Sequence, residues 1–340
     1  MLRVSLLALV SSAFFPAPTA AQPKLQIAEF GECLLESGEV LQDCRVGYRT
    51  FGELDATRSN AVLFTTGLGG TSENLAEDIG PEGWVDDAKH FVIAVDAFGN
   101  SVSSSPSNSA VQPDSAFPQI AIRDMVASQH RLVTEVLGLS SLHAVIGASM
   151  GGAQAFEWAV SYPGFAKKVI SIEGSPRTSA YNLVLWQTVL QILDLHEQCQ
   201  CREAVSVFGN LLFILMGRSP VYHDRMTPRD SVPRILERMA DIPLSPWKPN
   251  LRAQVVAGLN HNVAAPYGDS LERAAARVQA EVLVIVTPMD HLVTPGPSLE
   301  FAKLLGAETL VLSSDCGHLG LECDYHEISE ATRRVLARQD

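Results

Sequence analysis

Polar and apolar positions along this chain follow two different rhythms. Short runs dominated by apolar residues occur at 60–66, 90–96, 142–146, 168–172 and 281–287, each bounded by glycine, proline or charged residues. Runs of that length predict strands buried on both faces. Between them the apolar residues recur at helical spacing. The stretch 120–137 places Ile122, Met125, Val126, Val133, Val136 and Leu137 on one face, with Gly138 as its stop. Helices are also expected at 153–160, 297–305 and 327–338, a further strand at 309–313, and two modest strands at 24–30 and 45–51. Strands alternating with helices predict a parallel sheet covered on both faces. The segment 99–108, rich in serine and asparagine, reads as a loop too polar to be core. From 175 to 267 the strand rhythm stops. Only helical runs such as 182–195 and 204–216 remain, punctuated by prolines, and this reads as a helical insertion. Its most apolar run, Leu211-Leu212-Phe213-Ile214-Leu215-Met216, must bury against the main domain or line a pocket.

The expected organisation is a leader at 1–21, an α/β core at 22–174 and 268–340, and a helical cap at 175–267. The leader has Arg3, an apolar run from Val4 to Phe15, and small residues at Thr19 and Ala21, the pattern of a cleavable signal peptide. The run is shorter than the roughly 20 residues a bilayer requires, so no membrane span is expected. A secreted or periplasmic location follows, and the lack of any N-x-S/T sequon mildly favours a bacterial compartment. The formal charge of −13 makes nucleic acid and anionic membranes poor partners. All six cysteines follow the leader, which in an exported chain suggests disulfides. Of the possible connectivities the local set Cys33–Cys44, Cys199–Cys201 and Cys316–Cys323 is preferred, the Cys-x-Cys ring being its strained member. No histidine stands at metal-ligand spacing from these cysteines, and neither metal nor cofactor is expected. The oligomeric state is left open, a homodimer included.

The chemistry centres on Gly147-Ala148-Ser149-Met150-Gly151-Gly152, between a predicted strand and a predicted helix. A G-x-S-x-G in that context is a nucleophile elbow: a sharp turn lifts the serine hydroxyl above the strand end, and the glycines avoid collisions with neighbouring backbone. The bland alternative is a glycine-rich turn. A serine nucleophile needs a base and a group that orients the base. Asp290 follows the 281–287 strand and His318 follows the 309–313 strand, so acid and base fall after the serine in the chain order this fold class uses. Asp315 is the alternative acid, and Asp290 could otherwise be a turn cap. Of the nine histidines, only His318 sits in a Gly-His step after the last strand. The N–H groups of Met150 and of Leu68, or else Gly69, are the expected oxyanion donors.

Several stretches resemble the homoserine O-acetyltransferase-like group of α/β-hydrolases: Tyr48 to Leu54, Ser59 to Val62, Ile122 to Val126, the elbow through Pro163, and Gly317-His318. The resemblance implies an α/β-hydrolase fold, with a mostly parallel eight-stranded sheet and a helical lid, and a triad on Ser149, Asp290 and His318. It also exposes departures. Where acetyltransferases of the group place an arginine for the homoserine carboxylate this chain has Leu190, and Leu319 replaces an aspartate for the substrate amine. The segment Leu259 to Val263 resembles one in hydrolase-like members, which makes His261 a candidate substrate-pocket residue and a loop histidine the plain alternative. An exported serine hydrolase acting on a small-molecule ester is therefore expected. An O-acyltransferase with an alcohol acceptor is the alternative, and a non-catalytic binding protein on the same fold is a second.

Overall fold

The structure, a computed structural model, describes residues 23–244 and 248–338. The leader lies outside the described residues. Eight strands form one sheet: β1 (Gln26–Leu34), β2 (Val40–Phe51), β3 (Ala61–Thr65), β4 (Phe91–Val95), β5 (Leu142–Ala148), β6 (Ala166–Ile172), β7 (Glu281–Val286) and β8 (Glu308–Val311). Their spatial order is β1-β2-β4-β3-β5-β6-β7-β8. The β1–β2 and β2–β4 pairs are antiparallel and every other pair is parallel.

The unbroken apolar runs have a direct explanation. Val62, Phe64, Val92, Ile146, Ile170 and Ile285 point into one core, while Leu63, Ile93, Val145, Val169 and Val284 point into another. Successive strand residues face opposite sides, so a central strand with helices on both sides is apolar at every position. The first core is closed by Ile328, Ala331 and Val335 of the terminal helix Tyr325–Leu336. The second is closed by Met125, Phe156, Trp158 and Phe301, from the helices Ile122–Arg131, Met150–Ser161 and Gly296–Leu305.

Between β6 and β7 the chain is helical, from Ala180–Cys199 through Lys248–Leu259 to Leu271–Ala275. These helices build a third core around Val189, Leu193, Phe208, Leu212, Leu251 and Val255. Leu68 and Leu292, from loops of the sheet domain, pack against it. The three disulfides are Cys33–Cys44, Cys199–Cys201 and Cys316–Cys323.

One expectation needs correcting. The serine-rich segment after β4 is not a solvated loop: Asn100, Ser103, Ser104 and Ser105 are buried. Burial is tolerated because the loop bonds to itself. Ser103 Oγ donates to the Asp96 carbonyl at 2.7 Å, Ser105 Oγ to the Ser103 carbonyl at 2.7 Å, and Asn108 Nδ2 to the Ser101 and Ser103 carbonyls at 3.0 Å each.

Candidate active site

Ser149 joins β5 to the helix Met150–Ser161 with φ 56° and ψ −121°. A non-glycine residue holds such a conformation only where its surroundings impose it. Its N–H donates to the Ile172 carbonyl at 2.9 Å. The turn is tight enough that a Cβ on Gly147 would collide with Thr65 Oγ1 and the Gly151 backbone. Thr65 Oγ1 lies between the Ile146 and Gly151 carbonyls at 3.2 and 2.9 Å, tying β3 to the elbow.

The partners converge on this hydroxyl. His318 Nε2 stands 2.9 Å from Ser149 Oγ, and His318 Nδ1 stands 2.7 Å from Asp290 Oδ2. His318 is 5% and Asp290 3% exposed, so water does not compete for these bonds. The other Asp290 oxygen accepts the N–H groups of Leu292 and Val293 at 2.8 Å each, which fixes the carboxylate. With Nδ1–H donated to Asp290, Nε2 is left to accept the serine proton. Burial alone would lower the proton affinity of His318. The charge and hydrogen bond of Asp290, with the Glu173 carboxyl behind it, outweigh burial and hold it above the ordinary imidazole range.

His318 sits in the single turn Gly317–Leu319 rather than in an extended loop. Gly317 adopts φ +66°, and a Cβ there would lie 2.8 Å from Ser219 N, so the insertion presses directly on this turn. The Leu319 N–H donates to the Gly217 carbonyl at 3.1 Å, and the Cys316–Cys323 disulfide brackets the whole segment.

On the opposite side, the loop after β3 is pinned by a residue that sequence reading missed. Gln254, on the helix Lys248–Leu259, accepts the Gly69 N–H at 2.8 Å and donates to the Phe98 carbonyl at 2.9 Å. The Gly69 N–H is thereby engaged by a side chain of the helical segment. One turn earlier, Asn250 accepts the Ser107 N–H at 3.0 Å.

The remaining candidates lie elsewhere. Asp315 is bound to Arg225 at 2.6 and 2.9 Å, leaving Asp290 as the acid on His318. His261 is buried, with Nε2 3.1 Å from the Ser175 carbonyl, and burial lowers its proton affinity. Leu190 packs against the core of the insertion. Sequence reading also passed over Glu173, directly after β6. An acid just beyond a strand end is the signal that marked Asp290, and it was present here. Among the described residues, one group could offer three metal-type donors: Glu173, Asp290 and His318, within 4.8 Å of one another. Two of these already belong to the relay.

The alpha/beta hydrolase fold family matches residues 60–324 of the chain. The chain belongs to that family. Within the family this α/β-hydrolase falls in the homoserine O-acetyltransferase-like group, and it is an enzyme of the esterase or acyltransferase kind. An ethyl acetate hydrolase of Pseudomonas veronii is 30% identical, over 87% of this chain and 89% of that protein. A homoserine O-acetyltransferase of Pasteurella multocida is 27% identical, over 90% of this chain and 96% of its own. Among solved structures, the acetyl esterase MekB superposes with a TM-score of 0.85 at 28% identity, covering 93% of this chain and 98% of that one.

Proposed function

We propose that this α/β-hydrolase is an exported serine esterase acting on small esters, acetyl esters foremost. The reading is carried by the relay Ser149–His318–Asp290, continuous at 2.9 and 2.7 Å among buried side chains. Ser149 Oγ attacks the ester carbonyl carbon while His318 Nε2 takes its proton. Asp290 holds the imidazolium that forms. The Leu68 and Met150 N–H groups receive the negative charge on the carbonyl oxygen. His318 then passes its proton to the departing alcohol. Water, deprotonated by the same nitrogen, releases the acid from the acyl-enzyme.

The choice of acetyl esters draws on relatives named as an ethyl acetate hydrolase and an acetyl esterase. Leu319, directly after His318 where acetyltransferases of the group place an aspartate for the substrate amine, favours a neutral substrate, because a buried ammonium there would lack its partner. Three disulfides agree with an extracytoplasmic site of action. The transferase relatives support a second reading, O-acyl transfer, which differs only in that an alcohol resolves the acyl-enzyme. Turnover of p-nitrophenyl acetate with and without short alcohols separates the two. Hydrolysis predicts acetate as the dominant product at every alcohol concentration. Saturable acceleration by one alcohol, with its acetyl ester accumulating, would establish transfer instead.

A further inference from the structure

Glu173 is a buried carboxyl group to which the mechanism above assigns no step. It is 2% exposed and held at φ +47°, with its N–H donated to the Ile285 carbonyl at 2.7 Å. Oε1 accepts the Thr287 hydroxyl. Oε2 has no hydrogen-bond partner and lies 3.6 Å from His318 Nδ1. The segment following His318 is fitted closely against this group: a Cβ on Gly320 would stand 2.9 Å from Oε1 and 2.7 Å from Thr287 Oγ1. The Nδ1 edge of the imidazole thus faces two carboxyl groups, Asp290 in hydrogen-bond contact and Glu173 just beyond.

As mere filling, such a group is a poor choice. A buried acid with a free oxygen loses its hydration without replacement, and a strained backbone at a non-glycine position adds to that cost. Both are tolerated where the group serves the site. We propose that Glu173 is a positioning residue of the relay, a second acid that shares the Nδ1 side of His318 with Asp290 and accepts the imidazole N–H when Asp290 cannot. This rests on the triad reading of the preceding subsection.

The charged and titratable groups facing Glu173 are His318, Asp290 beyond β7, and Asp324 at the start of the terminal helix. Burial, the largest influence, pushes its carboxyl well above the usual range. Asp290 and Asp324 add to the rise, while His318 and the Thr287 hydroxyl oppose it. At neutral pH Glu173 therefore keeps its proton, and Asp290 is the nearer negative charge on the imidazole. As pH rises, Glu173 releases its proton to solvent and a second negative charge appears beside His318. That charge stabilises the imidazolium and delays formation of the free base. The two groups titrate as a pair, so removing one must move the other. The sign is fixed: without the Glu173 charge, the limb along which activity rises shifts to lower pH.

The test is a cycle of Glu173→Gln, Asp290→Asn and the double variant, reading kcat/KM for p-nitrophenyl acetate against pH, with thermal midpoints. Glutamine keeps an oxygen for the Thr287 hydroxyl, so the fold is expected to survive. In the wild-type background, Glu173→Gln should cost less than about tenfold and shift the rising limb to lower pH. In the Asp290→Asn background, the same substitution should cost about ten times more than it does alone, because the reserve acceptor is then lost. An equal or smaller cost in that background, or an unmoved limb, overturns the proposal. Should Glu173→Gln not fold, Asp290→Asn alone decides. Its residual activity should climb above neutral pH as Glu173 ionises, and a flat profile there refutes the idea. Ser149→Ala separates the two levels: persistent turnover in that variant would sink the triad reading itself, whereas a dead Ser149→Ala with an additive cycle sinks only the role of Glu173.

Discussion

Ser149, Asp290 and His318 all stand beyond the carboxyl ends of sheet strands, whereas Gln254, Gly217 and Ser219 reach the same centre from the helices between β6 and β7. The sheet places the reacting groups where parallel strands end, on backbone whose neighbours are hydrogen-bonded and buried. The insertion supplies no member of the relay. It holds two loops in place: the turn after β3 through Gln254, and the His318 turn through Gly217 and Ser219. The difference teaches a division of labour. Bond-making geometry comes from the sheet, while the fine position of the loop after β3 and of the imidazole depends on a layer that packs around its own separate core.

Breaking the sheet side should have the largest effect. His318→Ala removes the base and should lower kcat for p-nitrophenyl acetate by about four orders of magnitude or more. Its thermal midpoint should stay within a few degrees of wild type, as circular dichroism would show. An intermediate effect is expected on the insertion side. Gln254→Leu leaves the Gly69 N–H and the Phe98 carbonyl without their partner and frees the loop after β3, in which the proposed mechanism places an oxyanion donor. We expect kcat to fall about tenfold to a hundredfold with KM little changed, since one oxyanion donor is worth at most about a thousandfold. A matching rise in KM with constant kcat would instead make Gln254 a substrate-binding residue. The smallest effect belongs to the covalent bracket. Paired Cys316→Ser and Cys323→Ser should cost about 2 kcal/mol of stability in denaturant titration, and only a few-fold in kcat, because Gly217 and Ser219 still hold the turn. A loss as large as that of Gln254→Leu would mean that the disulfide, rather than the insertion, positions His318.

Much of this was legible in the chain itself, for identifiable reasons. Strands β3 to β7 are apolar at successive positions because they are buried on both faces, and that pattern needs no partner to be recognised. The elbow is legible because its steric demands are local to Gly147, Ser149 and Gly151. Asp290 and His318 could be found because strand order decides which loop each occupies. Gln254 could not be found this way. Its role depends on a contact with Gly69 across 185 residues, on a helix whose apolar residues are divided between the core of the insertion and that of the sheet and carry no mark of that contact. The serine-rich loop misled for a related reason: polarity predicts exposure unless each hydroxyl finds an internal acceptor, which only the folded loop reveals. Glu173 lay between these cases, marked by its place after β6 yet silent about the imidazole it faces.

The account stands most directly on the reactivity of one hydroxyl. Treating the protein with a fluorophosphonate and mapping the adduct by peptide mass spectrometry should place a single phosphonyl group on Ser149, formed in step with loss of esterase activity and absent after His318→Ala. Stoichiometric labelling of a different residue, or full inactivation with Ser149 unmodified, would contradict it.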